Sequence, residues 1–518
     1  MNGAQALIRT LVDAGVDVCF MNPGTSEMHF VAALDDVPEM RGVLALFEGV
    51  ATGAADGYSR IADKPASVLL HLGPGLGNGL ANLHNARKGH TGVVNIVGDH
   101  ATYHKQYDAQ LESDIETVAR NVSSWIRTSN ETSSLAADAA EAVAVASGPP
   151  AQIATLILPA DVSWTEGAEP AEALPARTPE PVADAVLARI TEVLQGDEPA
   201  ALFVGGRACR ADALVQASRI ANTTGAKLLA ETFPARIERG AGRVPVERLA
   251  YLAEFASMQL DGLKHMIVVD SKSPVSFFAY PGKASDLVPE GCTVHTLVGQ
   301  AGDPLEALTA LAEAVGATEA NETIQPEVRP DLPSGPLTAD AVCQAIGALL
   351  PEDAIVSDEG NTSGLFAAGH TAGAPAHDWM CLTGGAIGQG LPVALGAAVA
   401  APDRKVVVLQ ADGAAMFTLQ AWWSMAREEL DVVTVIFNNA SYAVLNMELN
   451  RVGAAEGGAK AKEMLDLHRP ELDFVALATG MGLSATRATT AEEFNEQFAA
   501  AVAKKGPSVI EAIVPSIM

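Results

Sequence analysis

At 518 residues, with 63 acidic and 33 basic side chains, the chain carries a formal charge of −30, which argues against nucleic acid or an anionic membrane surface as a partner. Hydrophobic content of 48% beside 19% charged residues is an ordinary globular composition, and the length exceeds one core and predicts about three domains. No apolar run approaches the roughly 20 residues that span a bilayer. Met1-Asn2-Gly3-Ala4-Gln5 has no basic segment leading into an apolar run, so no signal peptide is expected. Cys19, Cys209, Cys292, Cys343 and Cys381 are scattered without CxxC spacing, as reduced core residues of a cytoplasmic protein would be.

In chain order, the first segment (1–164) alternates helical and extended patterns. Gln5 to Ala14 has a helical stripe. Strands are expected at Val18–Met21, Val43–Phe47, Ser67–Leu70, Val93–Val97 and Ile153–Leu158. Each runs into small or polar residues: Asn22-Pro23-Gly24-Thr25-Ser26-Glu27, then Glu48, then His71 and the run Gly73 to Gly79, then Gly98-Asp99-His100. Functional residues at strand ends are what an open α/β sheet with a site at its carboxyl edge produces. Thr165 to Pro181 shifts to Glu, Ala and Pro and reads as a linker.

The middle segment (182–316) repeats the pattern, with strands expected at Ala201–Val204, Leu228–Ala230, Met266–Val269 and Thr293–Leu297. Gly205-Gly206-Arg207 hints weakly at a nucleotide, though such glycines more often only let a strand turn into a helix. A polar, proline-bearing stretch from Ala317 to Pro336 leads to Thr338, a helix N-cap. It opens the third segment (337–518). There, apolar β-branched runs at Val406 and Val433 end in Gln410-Ala411-Asp412-Gly413-Ala414 and Asn438-Asn439, with a helical pattern over Leu419–Glu428 between them. That is a β-α-β unit, which brings Asp412 and Asn439 to one sheet edge. A carboxylate, an amide oxygen and a backbone carbonyl suit Mg2+; by spacing alone, Asp-Gly is equally a turn and Asn-Asn a loop. A last strand is expected over Ser508–Val514, and the glycine-rich stretch Gly453 to Lys460 reads as a lid.

Asp412-Gly413 followed by Asn438-Asn439 resembles the thiamine-diphosphate signature GDG…NN, with Ala411 in place of its first glycine. The resemblance implies Asp412, Asn439 and the backbone oxygen of Ser441 as Mg2+ ligands, and Gly413, Ala414 and Tyr442 against the diphosphate. Glu48-Gly49-Val50-Ala51 with Ala55-Asp56-Gly57-Tyr58-Ser59-Arg60 is similar to the family's E-x-x-A…A-D-G-Y-A-R. Its glutamate bonds N1′ of the aminopyrimidine and so helps take the proton from thiazolium C2. Without the family, Glu48 would be a helix N-terminal acid favoured by the macrodipole. Gly384 to Pro392 resembles the stretch that supports the bent cofactor, which puts Ile387 beneath it and gives the carbonyl of Gly385 to its amine. Asn361 and Thr362 fall where diphosphate-binding side chains lie.

The resemblance spans nearly the whole chain in the order pyrimidine, central and diphosphate domain. That implies three doubly wound parallel-sheet domains of α/β class, as in acetolactate synthase, pyruvate oxidase and benzoylformate decarboxylase. Asn22-Pro23-Gly24-Thr25 resembles the benzoylformate decarboxylase loop that contacts the substrate carboxylate, through Thr25, and His71 its proton-transferring histidine. A second histidine of that enzyme falls near Ile237, and the Phe-Gln pair of acetolactate synthases is not reproduced around Asp108 to Glu112. His100 and His104, flanking Tyr103, are the other acid–base candidates.

The implied activity is thiamine-diphosphate- and Mg2+-dependent cleavage next to the carbonyl of a 2-oxo acid. The intermediate is either released as an aldehyde or ligated to a second carbonyl compound, and FAD is not expected. Glu48 in the first domain and Asp412 in the third would meet across a homodimer or homotetramer interface, as the family's do. A nicotinamide dehydrogenase would also have α/β domains, but a clean G-x-G-x-x-G is absent. A regulatory protein that only binds the cofactor would have no use for Glu48.

Overall fold

The computed structural model describes residues 1–454 and 457–516. Of the expected lid over Gly453 to Lys460, Ala455 and Glu456 lie outside the described residues.

The first sheet contains β1 (Val18–Met21), β2 (Arg41–Leu44), β3 (Ala66–Leu70), β4 (Val93–Asp99), β5 (Trp125–Thr128) and β6 (Ile153–Pro159). They are ordered β2-β1-β3-β4-β6-β5, and every pairing is parallel. The expected run Val43–Phe47 is cut short, since β2 ends at Leu44. Phe47 instead becomes the N-cap of the helix Glu48–Ala62. No strand was expected at Trp125–Thr128; its residues are all half-buried at the sheet edge, so no apolar run marks them.

The middle sheet is ordered β10-β8-β7-β11-β12, from β7 (Ala200–Val204), β8 (Lys227–Ala230), β10 (Glu247–Arg248), β11 (His265–Val269) and β12 (Thr293–Val298). The third has β13 (Ile355–Glu359), β14 (His377–Met380), β15 (Val406–Ala411), β16 (Val432–Asn438), β17 (Ser484–Ala488) and β18 (Ser508–Ile513). It also takes β9 (Ile237–Arg239) from the middle segment, antiparallel to β14, in the order β17-β18-β16-β15-β13-β14-β9. Ile237 is therefore a buried sheet residue and no position for an acid or base. Thr338 caps the helix Ala339–Leu349, accepting from the Ala341 amide.

Each sheet has a reversal of strand order in its interior, and ligands of doubly wound folds bind outside the strand ends there. These places are β1/β3, β7/β11 and β13/β15. The first and third sheets are joined back to back through the helices Glu48–Ala62 and Gly390–Ala400. A Cβ at Gly57 would strike the Val393 carbonyl and one at Gly396 the Ala54 carbonyl, so only glycine permits so close a crossing. Arg60 completes the joint. It grips Asp56 through Nε (2.8 Å) and Nη2 (2.6 Å), while Nη1 donates to the carbonyls of Cys381 (2.8 Å) and Ala235 (3.1 Å). Bidentate pairing and filled donors are what make a buried guanidinium tolerable.

Candidate active site

At the β1/β3 reversal, the turn Thr25–Glu27 swings Glu27 inward until it is fully buried. Its Oε2 accepts from the Gly24 amide at 2.7 Å and lies 2.8 Å from Nδ1 of His71. Oε1 has no partner among the described residues. Burial raises the carboxyl's pKa, opposed by the neighbouring imidazole and the Gly24 amide. His71 is the N-cap of the helix Leu72–Lys88, and its side chain is a quarter exposed. With Nδ1 engaged, Nε2 is the ring nitrogen left for a ligand. Thr25 is exposed on the rim of the same turn.

Glu48 lies beside this pair. It opens a 15-residue helix, where the macrodipole favours its charge. Its side chain is buried, and Oε2 accepts from Nδ2 of Asn78 at 3.0 Å. A Cβ at Gly75 would lie 3.2 Å from Glu48 Oε1 and 3.5 Å from His71 Cβ, so Glu48 and His71 converge on the same glycine. His100 is separate. It follows β4, its Nε2 is buried without a partner among the described residues, and its ring centroid is 5.2 Å from that of His104. Among the described residues no hydrogen bond links His100 to His71 or Glu48.

The β13/β15 reversal gathers the second group. Asp412 Oδ1 accepts from the Gly413 amide at 2.7 Å, and Oδ2 from those of Asn439 (3.1 Å) and Ala440 (2.7 Å). The carboxylate thus ties the end of β15 to the end of β16. Burial raises its pKa, and the three amides act against that. Asn439 Oδ1 accepts from the Ser441 amide at 3.0 Å, and Nδ2 reaches Ser363 Oγ at 3.4 Å. That contact reaches the turn after β13, where Asn361 has φ +48° and Thr362 is buried. The ring of Tyr442 covers Gly413, whose Cβ it would strike, and Ala414 is buried. One carboxylate with the oxygens of Asn439 and Ser441 is a donor set that fits a hard divalent cation keeping some of its water. Among the described residues no cluster of three or more His, Cys, Asp or Glu offers an alternative.

Between the two groups runs the loop carrying Gly385 and Ile387. Glu359, at the end of β13, accepts from the amides of Gly388 (2.7 Å), Gln389 (3.1 Å) and Gly390 (2.9 Å) and from Gln410 Nε2 (2.9 Å). From the helix Leu72–Lys88, Asn82 Nδ2 donates to the carbonyls of Gly49 (2.8 Å) and Gly388 (3.2 Å), and Asn85 Nδ2 to that of Ala386 (2.8 Å). Gly385 has φ +71°, left-handed backbone that favours glycine. Ile387 is half-buried, and the Phe277 ring covers Gly385.

The middle sheet's reversal holds acids. Glu231 accepts from the Gly206 amide (3.0 Å) and from Ser271 Oγ (3.3 Å), and Asp270 from the Arg207 amide (2.7 Å). Burial pushes Glu231 up to about 7 and Asp270 up to about 6. The amides of the Gly205-Gly206-Arg207 turn that could cradle a phosphate are taken by carboxylates. Large apolar side chains stand exposed beside the other two edges: Leu46, Leu365, Phe366, Met416 and Phe417. Glu27, Asn78, Glu359 and Phe277 were not singled out from the sequence. Glu27 and Asn78 lie inside stretches that were, whereas nothing in the sequence marks Phe277.

Comparison with known proteins bears on these edges. The model of the thiamine pyrophosphate enzyme N-terminal TPP binding domain matches residues 1–121, and that of the C-terminal TPP binding domain matches residues 358–512. A Mycobacterium tuberculosis chain bearing the name of an acetolactate synthase large subunit, IlvX, is 58% identical over 522 residues, covering 100% of both chains. Benzoylformate decarboxylase of Pseudomonas aeruginosa is 30% identical, with 97% of each chain covered. Among solved structures, a thiamine diphosphate-dependent 4-hydroxybenzoylformate decarboxylase of Rhodococcus jostii superposes with a TM-score of 0.85 at 24% identity, over 99% of each chain. That last likeness speaks for the fold alone.

Proposed function

The chain belongs to the thiamine-diphosphate-dependent enzymes, and from that premise we propose that it is a Mg2+-requiring decarboxylase of a 2-oxo acid. The observation that carries this reading is the buried Glu48 carboxyl, whose Oε1 lies 3.2 Å from where a Cβ of Gly75 would stand, in the helix that His71 caps. It puts a buried carboxylate, of the kind that activates the cofactor, next to the helix whose N-cap is the His71 of the Glu27–His71 pair.

Thiamine diphosphate, when bound, supplies a nucleophilic carbon and an electron sink for the bond that breaks. The protein's residues do the rest. Asp412, Asn439 and the Ser441 carbonyl would hold Mg2+, and Asn361, Thr362, Gly413, Ala414 and Tyr442 would receive the diphosphate. The Gly385 carbonyl and Ile387 orient the cofactor, and Glu48 holds and releases the proton at N1′. Thr25 faces the substrate carboxylate. Replacing CO2 by hydrogen takes one proton overall, and His71 Nε2 would hold and deliver it. His100 is the second proton-transferring group in this scheme.

Neither edge carries a complete set of these groups, so two copies of the chain would face each other, as a homodimer or a pair of homodimers. The exposed Leu46, Leu365, Phe366, Met416 and Phe417 support this, since apolar side chains grouped at a site edge mark an interface. FAD has no place in the reading, because a pyrophosphate at Gly206 and Arg207 would meet two carboxylates. A cytoplasmic location is in keeping with scattered thiols. No helix among the described residues is long and apolar enough to cross a membrane.

A second reading is ligation: the unit left after CO2 loss passes to another carbonyl compound. The 58% identity to a chain named as an acetolactate synthase subunit favours it. One experiment addresses both. The protein with thiamine diphosphate and Mg2+ is given a panel of 2-oxo acids, and CO2, aldehyde and acyloin are assayed together. Decarboxylation yields aldehyde equal to CO2, and ligation yields acyloin in its place. No CO2 from any acid, with cofactor bound, would refute both.

A further inference from the structure

Residues 270–292, between β11 and β12, bring the middle domain against the cofactor loop. The segment contains no histidine. What it brings is aromatic. The Phe277 ring covers Gly385, which has no Cβ to keep it off. Around Phe277 stand Phe278 (centroids 4.9 Å apart), Tyr251 (5.4 Å) and Phe233 (5.8 Å), with Phe277–Phe278 and Phe277–Phe233 edge-to-face. The cluster is therefore packed, yet its front stays open: Phe277 is 40% and Phe278 54% exposed. Fully burying such a side chain is worth roughly 1.5–3 kcal/mol, so two adjacent exposed phenylalanines forgo much of that stabilisation unless something covers them.

The segment is held in place by polar contacts behind the aromatic face. Tyr280 is buried and donates to Glu448 Oε1 at 3.2 Å, while the Arg451 guanidinium lies 4.4 Å from the centre of its ring. Arg451 in turn pairs with Glu254 at 3.1 Å, and Lys283 with the same carboxylate at 3.3 Å. Arg451 and Lys283 are thus both engaged with Glu254 behind the aromatic face. The helix Ala443–Arg451 that receives these contacts begins directly after Ser441 and Tyr442, so the aromatic face is referenced to the cation-binding edge as well as to Gly385.

We infer that Phe277 and Phe278 form the apolar wall on which the substrate's side chain packs, and that the enzyme selects 2-oxo acids with a bulky, uncharged side chain. This rests on the reading of Gly385 as a cofactor contact. The surface continuous with Gly385 is the Phe277–Phe278 face, so a substrate that meets the cofactor beside Gly385 would meet that face. A second copy of the chain covering both rings is the other possible occupant, and the same experiment separates the two.

The test measures kcat/KM for pyruvate, 4-methyl-2-oxopentanoate, phenylglyoxylate and 2-oxoglutarate with wild type, Phe277→Ala, Phe278→Ala and Phe277→Leu, after thiamine diphosphate binding has been measured in each. Wild type is expected to favour the two bulky apolar acids over pyruvate by tenfold or more and to discriminate against 2-oxoglutarate. Phe277→Ala should lose about tenfold of the phenylglyoxylate-to-pyruvate ratio, since apolar pocket contacts are worth about 10–200-fold, and Phe277→Leu should recover part of it. An unchanged ratio in both alanine variants overturns the inference, and a shift to monomers in those variants assigns the rings to a subunit contact instead. If no 2-oxo acid reacts, the functional reading fails. The wall is then judged by calorimetry of the cofactor-loaded protein with phenylacetate and acetate. A preference for phenylacetate that disappears in Phe277→Ala keeps the wall, and equal binding of both acids removes it.

Discussion

Glu27 Oε2 and His71 Nδ1 lie 2.8 Å apart, and the carboxylate that orients the imidazole is itself wholly buried. An imidazole fixed through one nitrogen presents the other in a set direction. His71→Ala should keep thiamine diphosphate bound and lower kcat on the true substrate by about 10²–10⁴-fold, the usual range for a positioned acid or base. Glu27→Gln keeps the shape of the contact but not its charge. It should shift the pH profile of kcat with a smaller loss of rate, which steady-state kinetics over pH 5–9 will read. Equal rates and profiles in both variants would leave the pair without a catalytic part.

For the cation edge, Asp412→Ala and Asn439→Ala should abolish most of the thermal stabilisation given by thiamine diphosphate with Mg2+. A ligand at a hundred times its Kd stabilises by about 2.7 kcal/mol, which a melting scan resolves. Asp412 also holds the Asn439 and Ala440 amides, so circular dichroism must first establish that the variants are folded. Full stabilisation in both would contradict the assignment of the metal.

The acids of the middle domain give a pH dependence. Glu231 is raised from 4.5 to about 7, and Asp270 from 3.8 to about 6. Between those limits the folded protein binds more protons than the unfolded chain, so these groups stabilise it at low pH and that stability is lost as pH rises through 6 and 7. Glu231→Gln should therefore raise the melting temperature at pH 8 and leave it nearly unchanged at pH 5. A gain that is equal at both values would mean that the carboxyl titrates normally.

Much of this arrangement could be read from the chain. The strand ends before Asn22, His71, Asp412 and Asn439 follow apolar runs that stop abruptly, and the fold places all of them at carboxyl edges. What stayed hidden has no local periodicity. β9 is only three residues long and pairs with a strand about 140 positions away. The acid–amide contacts of Glu359 and Glu27 depend on turns that no composition signals. Phe277 lies in a segment without helix or strand, so its place over Gly385 is decided by tertiary contacts alone. His100 and His104, which the sequence sets on either side of Tyr103, have ring centroids 5.2 Å apart.

Assembly has its own test. Glu48→Gln and Asp412→Ala subunits, each inactive, are dissociated, mixed and allowed to reassociate. If each site uses Glu48 of one copy and Asp412 of the other, mixed dimers carry one site with both defects and one with neither. Random pairing makes about half the dimers mixed, so activity should return to about a quarter of wild type. Sites within single chains would give no recovery.

The account turns on Glu48 as the group that activates the cofactor, and the most direct measurement is C2 proton exchange of bound thiamine diphosphate, followed by NMR in wild type and in Glu48→Gln. The variant keeps the contact from Asn78 within reach and should bind the cofactor with wild-type affinity. Its exchange should be slower by about 10²–10⁴-fold. Exchange at the wild-type rate in Glu48→Gln, with the cofactor demonstrably bound, would contradict the account.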